Sequence, residues 1–408
     1  MQKKIVVFTA NYYPEDTAIG LYTSQFVNFL KDKNYDITVI TGFPYYPQWK
    51  ILDAYKKEKR FFTEIIHGVT IIRYKQFVPK RINFLGRIML MLSLCFGSII
   101  NIKKIKSCDA IICIVPFTIN IIPAYLLKKR TKAKLWVHIQ DFEFDLAFES
   151  GILSKNNFVI RSIRSLISIV EKMLLKQADI VSSISYNMLE KAKNKVPKAN
   201  LFYFPNWINS EQLNFKCLDK KHHYFNSEKF TLLYSGNVGE KQNWDLLLSL
   251  CSVVKDEEIE IIIVGDGSYL KTLKEKTEKY PFVKFFPLVP FEELPILLKS
   301  ADVHFLFQKT DVLDSVMPSK LLGMLGSSKP CIITGNSNSE VARTFRENTI
   351  GFFFDNDDTK NILTAIEKIK NNNSFANELG VKASQYVKEK FLEEKILNAF
   401  ENKLRTEI

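Results

Sequence analysis

At 408 residues the chain is too long for one ordinary hydrophobic core and suits two domains. It is 46% hydrophobic and 25% charged, a globular balance that excludes a disordered or fibrous chain. A net charge of +13 favours anionic partners (nucleic acid, anionic lipid headgroups or phosphorylated substrates), and it also fits a plain solvated basic surface.

Met1-Gln-Lys-Lys leads straight into Ile5-Val-Val-Phe8, so no signal peptide is read. The run is continuously apolar, as in a strand covered on both faces. A loop, Asn11 to Gly20, follows, then a helix with Tyr22, Phe26, Phe29 and Leu30 on one face. The strand Ile37-Thr-Val-Ile40 completes a βαβ opening, whose loop lies where open α/β sheets bind ligands. That loop has one glycine and lacks G-x-G-x-x-G, so a dinucleotide fingerprint is absent. Phe43-Pro-Tyr-Tyr-Pro-Gln-Trp49 is a stiff aromatic loop that fits either a stacking surface or plain structure. Further strands are expected at Val69–Arg73, Ala110–Val115 and Leu135–His138.

Ile88 to Ile102 is almost wholly apolar but short of the roughly 20 residues a membrane span needs. Basic residues flank it: Arg81 and Arg87 before, Lys103, Lys104 and Lys106 after. It reads as a buried helix or as an interfacial helix held against anionic lipid. Phe158 to Lys176 reads as a second amphipathic helix, with Arg161, Arg164 and Lys172 on its wet face. Between these segments lies His138-Ile-Gln-Asp-Phe-Glu-Phe-Asp145, a strand running into a histidine and three acids. At a strand's carboxyl end these would face a ligand, yet Asp141 also suits a helix cap and His138 could point into the core. The six cysteines (Cys95, Cys108, Cys113, Cys217, Cys251 and Cys331) are scattered without a C-x-x-C pair. That argues against a zinc site or disulfide framework and for a reducing compartment.

The first domain is read as residues 1–209, and 210–228 as a polar linker whose His222-His223 pair is surface. The second domain, 229–387, repeats the architecture. The strand Phe230–Tyr234 runs into the glycine loop Ser235-Gly-Asn-Val-Gly-Glu-Lys241, where backbone can approach a ligand and Lys241 adds positive charge. Strands follow at Ile261–Val264, Val283–Pro287, Val303–Phe307, Pro330–Thr334 and Ile350–Phe354. Between the strands at Val303 and Pro330, Pro318-Ser319-Lys320 opens a helix with Leu321, Leu322, Met324 and Leu325. A helix start with a hydroxyl and a lysine is a seat for phosphate, although Ser319 is equally an N-cap. Residues 388–408 form a last helix, free to pack back on the first domain.

Several motifs occur in order: Tyr13-Pro-Glu with Ile19-Gly20, Pro44 to Trp49, Val78-Pro-Lys80, His138 to Asp141 and Phe204-Pro-Asn-Trp207. Tyr234 to Gln242, Phe285-Phe-Pro-Leu288, Gln308-Lys309 and Pro318-Ser-Lys-Leu321 complete the set. Together they resemble the WcaI-type glycosyltransferases of colanic-acid synthesis, in glycosyltransferase family 4, with WbuB-type fucosaminyltransferases as neighbours. The resemblance covers nearly the whole chain.

It implies an α/β fold of the GT-B class, two Rossmann-like domains facing across a cleft. It also implies a retaining transfer of a hexose or deoxyhexose, fucose or N-acetylfucosamine, from a GDP- or UDP-linked sugar. The implied acceptor is a polyprenyl-diphosphate-linked saccharide at an anionic membrane surface on the cytoplasmic side, with no cofactor, metal or nucleic acid. Lys241, Ser319 and Lys320 match the diphosphate cradle, with Gly236, Asn237 and Gly239 in the glycine loop. Gly20 matches the loop of the first domain, Asp141 and His138 the acceptor side, and Glu340 an acid near the donor. The wider family carries a glutamate pair, E-x7-E, whose second member holds the ribose. Here those positions read Ser315 and Gly323, with Asp314 one residue off as a substitute. Two alternatives stay open: a sugar-nucleotide 2-epimerase of the same fold, and a non-catalytic nucleotide-binding partner in polysaccharide assembly.

Overall fold

The computed structural model describes residues 2–16, 18–80, 83–116, 118–142, 158–210, 213, 220–225, 228–240, 242–254, 258–310, 319–355 and 358–408. The chain divides into two compact units, Met1–Pro205 with Leu397–Ile408, and Asn206–Ile396.

The first unit is an eight-stranded sheet in the order β3-β4-β2-β1-β5-β6-β7-β8. Its strands are β1 (Lys4–Phe8), β2 (Asp36–Gly42), β3 (Phe61–Ile66) and β4 (Val69–Tyr74), then β5 (Ala110–Val115), β6 (Lys134–Ile139), β7 (Ile180–Ser183) and β8 (Asn200–Tyr203). All neighbours are parallel except β3 against β4. The sequence reading has no strand at β3, which pairs with β4 as a hairpin. His67 and Gly68 both carry positive φ at its turn, the pattern of a type I′ connection.

Helices α1 (Ala18–Asp32), α2 (Phe84–Asn101), α3 (Ile121–Thr131), α4 (Phe158–Leu175) and α5 (Tyr186–Lys195) connect these strands. Right-handed crossovers leading from β4 through to β8 all run the same way along the sheet. They therefore place α2, α3, α4 and α5 on one face, and α1, whose connection runs the other way, on the opposite face. α2 is half buried: Leu90, Met91, Leu94 and Cys95 pack inward, while its outer side stays exposed. Length and composition would allow α2 to cross a membrane, but half of it lies inside this fold.

The second unit is a six-stranded parallel sheet in the order β11-β10-β9-β12-β13-β14. The strands are β9 (Phe230–Ser235), β10 (Ile259–Val264), β11 (Val283–Phe286), β12 (Val303–Phe307), β13 (Cys331–Thr334) and β14 (Phe352–Phe354). Helices α6 (Trp244–Val253), α7 (Leu270–Thr277), α8 (Leu294–Ser300), α9 (Ser319–Gly326), α10 (Glu340–Asn348), α11 (Thr359–Lys370) and α12 (Asn373–Lys390) cover it. The last helix, α13 (Glu393–Glu407), is separate from α12. The break falls at Phe391 and Leu392, where Ile208 N–H bonds to the Phe391 carbonyl. Phe391 is buried in the core of the second unit, whereas Phe400 on α13 packs on Phe26, Trp136 and Phe204 of the first, with centroids 4.3–4.8 Å apart.

Candidate active site

In each sheet the strand order reverses at one point, between β1 and β5 in the first and between β9 and β12 in the second. Loops diverge there beyond the carboxyl ends of the strands and leave a crevice. In the second unit, that crevice lies between the glycine loop after β9 and the start of α9.

The glycine loop is pinned by its neighbour after β10. Gly236 N–H donates to the Val264 carbonyl, and Val238 N–H to the Asp266 carbonyl. Gly236 has φ +133°, a conformation that side-chain-bearing residues rarely adopt. A Cβ on Gly267 would come 2.4 Å from the Val238 carbonyl oxygen, so only glycine lets the two loops interlock. Asn237 is exposed at the tip. Gly239, expected at the ligand, is buried. Its N–H is given to Gln242 Oε1 (3.1 Å), and its carbonyl accepts from the Trp244 indole (2.8 Å). Those bonds make Gly239 a fixed base for the loop.

Lys320 is the second residue of α9. Its ammonium donates to the Tyr234 hydroxyl at 2.8 Å and stands over the same ring, 4.6 Å from its centroid. Tyr234 in turn donates to the Asn237 carbonyl. Burial raises the Tyr234 pKa, so the phenol keeps its proton and can both accept from Lys320 and donate onward. A Cβ on Gly236 would be 3.5 Å from Lys320 Nζ. The structure thus brings Gly236, Asn237 and Lys320 together, with Tyr234 as the link. In the sequence Tyr234 stands as the end of a strand and the start of a motif, with no role of its own. Lys320 and the first-turn N–H groups of α9 form an electropositive patch suited to an anion.

Ser319 begins α9, but its side chain, Lys241 and Asp314 lie outside the described residues. Glu340 is the first residue of α10, after Ser339, whose hydroxyl caps Ala342 N–H at 3.1 Å. It is buried beside the strand-end loop of β13, which Asn336 ties to the Thr310 carbonyl. Gly323, matched in the sequence to an expected ribose-holding glutamate, sits one turn into α9. A Cβ there would lie 3.1 Å from the Leu298 side chain.

In the first unit, the residue that organises the loops is one the sequence reading passed over as part of a motif. Glu15 is buried, and its carboxylate accepts from the backbone N–H groups of Tyr12, Tyr45 and Tyr46 and from the Asn11 amide. Burial pushes its pKa up, and the four donors oppose that. It fastens the loop after β1 to the aromatic loop after β2. Gly20 completes the join, since a Cβ there would meet the Glu15 carbonyl oxygen at 2.5 Å. Arg73 is fully buried and bonds Glu64 and the carbonyls of Tyr13 and Gly42. Gln76 bonds both the N–H and the carbonyl of Phe43.

Asp141 is partly exposed just past the end of β6. His138 is placed differently, with its ring turned into the core near Phe204. The Gln140 amide donates to its Nε2 (2.9 Å), leaving Nδ1 to donate to Ser182 Oγ (2.9 Å). Burial lowers its pKa to about 3. A neutral ring with both nitrogens engaged supports the core, and its placement does not support the catalytic part expected for it. The unfolded chain takes up a proton near pH 6.5 and the folded chain does not, so stability is lost as pH falls below 6.5. At pH 5 this amounts to about 2 kcal/mol. The His138→Gln variant should show a correspondingly shallower acid limb in urea midpoints measured between pH 7 and 5. Equal limbs would mean that His138 protonates in place.

His222, expected at the surface, is also buried, with Nε2 3.1 Å from Glu293 and His223 alongside. These three groups have the makings of a metal site. However, the Tyr224 backbone N–H donates to His222 Nδ1 (3.2 Å), so the ring proton sits on Nε2 and faces the carboxylate. No lone pair of that ring is left for a cation.

Residues 216–388 match the family model for glycosyl transferases group 1. WcaI of Escherichia coli (strain K12), described as a colanic acid biosynthesis glycosyl transferase, is 32% identical over 352 residues, 83% of this chain and 85% of WcaI. WbjE of Pseudomonas aeruginosa, described as a glycosyltransferase, is 24% identical over 210 residues, about half of each chain. Among solved structures, sucrose-phosphate synthase of Thermosynechococcus elongatus superposes with a TM-score of 0.75 at 13% identity, covering 99% of both chains. HepE of Anabaena, solved with UDP and glucose, superposes with a TM-score of 0.68 at 12% identity, covering 99% of this chain and 100% of HepE. The fold is GT-B, and the chain belongs to the group 1 glycosyl transferases, among which it resembles WcaI.

Proposed function

We propose that this protein is a retaining hexosyltransferase of surface polysaccharide synthesis. It moves a deoxyhexose, fucose or N-acetylfucosamine, from a GDP- or UDP-linked donor to a polyprenyl-diphosphate-linked saccharide at the cytoplasmic face of the membrane. The observation that carries the reading is Lys320, held by Tyr234 against the glycine loop at the switch point of the second sheet. The similarity to WcaI supports the pathway.

In this reading the donor diphosphate lies over the start of α9. As the bond to the anomeric carbon breaks, negative charge grows on the leaving phosphate. Lys320, the α9 amides and Lys241 meet that charge, the part a metal plays elsewhere. The acceptor hydroxyl attacks from the side the leaving group departs, and its proton passes to the leaving phosphate oxygen. Glu340 and Asp314 serve the donor and Asp141 the acceptor, and no cofactor is required.

A thermal-shift screen of GDP- and UDP-linked deoxy sugars tests the donor. A donor held at 100 times its Kd should stabilise the fold by about 2.7 kcal/mol. If no sugar nucleotide shifts the melting temperature, the donor site is misplaced.

A further inference from the structure

We infer that the outer face of α2, α3 and α4 is a docking surface for an anionic phospholipid bilayer. Four apolar side chains of α2, Leu85, Met89, Leu92 and Phe96, are 46–66% exposed. Their spacing puts them in one stripe along the helix. On α4, Leu166, Ile169, Val170 and Met173 form a second stripe, 45–62% exposed. Leu126 is exposed on α3, which packs against both helices. A scatter of single surface leucines would need no explanation, but two apolar stripes on helices that flank α3 on one sheet face do.

The charges beside the stripes choose the occupant. The three helices run parallel, because each returns from a carboxyl strand end to the amino end of the next strand. Each ends in exposed lysines: Lys103, Lys104 and Lys106 after α2, Lys129 and Lys132 at α3, and Lys172 and Lys176 at α4. Between the ends of α3 and α4 lies a cavity of about 370 Å³, lined by Tyr125, Lys128, Lys129, Lys132, Lys176 and Asp179. Among the described residues of this face, the acids are already matched. Asp179 pairs with Lys128, Glu171 is buried against Lys195, and Asp109 takes Lys3. Lysines at helix ends also complement the helix dipoles, but that leaves the apolar stripes unexplained. An apolar band bordered by lysines, with acids neutralised, fits acyl chains below and phosphate headgroups at the rim.

The purpose of this surface, bringing the enzyme to a lipid-linked acceptor, rests on the function proposed above. Its existence is read out separately. In flotation, the wild-type chain should rise with vesicles of phosphatidylcholine and phosphatidylglycerol, remain behind with phosphatidylcholine alone, and be released by salt. The Lys129→Gln/Lys132→Gln/Lys176→Gln variant should lose about five-fold in partitioning for each lysine removed. The Leu92→Ser/Phe96→Ser/Ile169→Ser/Met173→Ser variant should no longer float. Both variants change exposed side chains, so their melting temperatures and donor-induced thermal shifts should stay at wild type. Wild-type protein that ignores anionic vesicles, or variants that float as well as wild type, would overturn the inference. So would a dimer in sedimentation that the serine variant dissolves, since that assigns the face to a second copy. Flotation with no donor shift at all would keep the surface and remove the donor assignment.

Discussion

The Lys320→Ala variant should lose about 10²–10³ in kcat, with a much smaller change in donor KM. The ammonium sits where charge develops rather than where it already rests, so its worth is largest in the transition state. The site is partly buried, which strengthens the interaction over its value in water. Tyr234 holds the ammonium at 2.8 Å. Tyr234→Phe should therefore cost less, about ten-fold, by loosening Lys320 without removing it. Steady-state kinetics with saturating acceptor separate the two. Unchanged kcat in Lys320→Ala would remove the leaving-group assignment, and a pure KM effect would reduce Lys320 to ground-state binding.

The second large effect concerns stability. Arg73→Met should destabilise the first unit by about 3–5 kcal/mol, as breaking a buried ion pair from one side does. The guanidinium is fully buried between Glu64, the Tyr13 carbonyl and the Gly42 carbonyl. Methionine fills much of the volume but leaves the Tyr13 and Gly42 carbonyls without that donor and the Glu64 carboxylate with only the Tyr55 hydroxyl. The Tyr13 carbonyl belongs to the loop that Glu15 fastens, so the variant should also loosen that loop. Urea unfolding followed by tryptophan fluorescence measures the loss. A change below about 1 kcal/mol would show that water replaces the guanidinium at little cost.

The alternation of strands and helices was legible in the sequence because buried parallel strands are continuous apolar runs and their crossovers have helical period. The glycine loop and the Pro318-Ser319-Lys320 helix start were legible as local chemistry. The hairpin strand β3 was not. Its outer residues, Thr63 and Ile65 among them, are exposed, and its turn is His67-Gly68 rather than Asn-Gly. The direction of His138 could not be read because β6 is covered on both faces, so alternation carries no sign. Glu15 escaped because its partners Tyr45 and Tyr46 lie about thirty residues away and bind through backbone N–H groups, which have no sequence signature. Tyr234 escaped because an aromatic residue ending a strand reads as core until the lysine that reaches it, 86 residues on, is in place.

The most direct test of the account is a transfer assay followed to the stereochemistry of its product. The purified protein, a labelled nucleotide diphosphate deoxy sugar and a polyprenyl-diphosphate-linked saccharide are incubated, and the new linkage is assigned by NMR. A retaining transferase releases the nucleoside diphosphate and yields a glycoside with the anomeric configuration of the donor. An inverted linkage, an epimerised donor formed without acceptor, or intact donor in the presence of acceptor would contradict the proposed function.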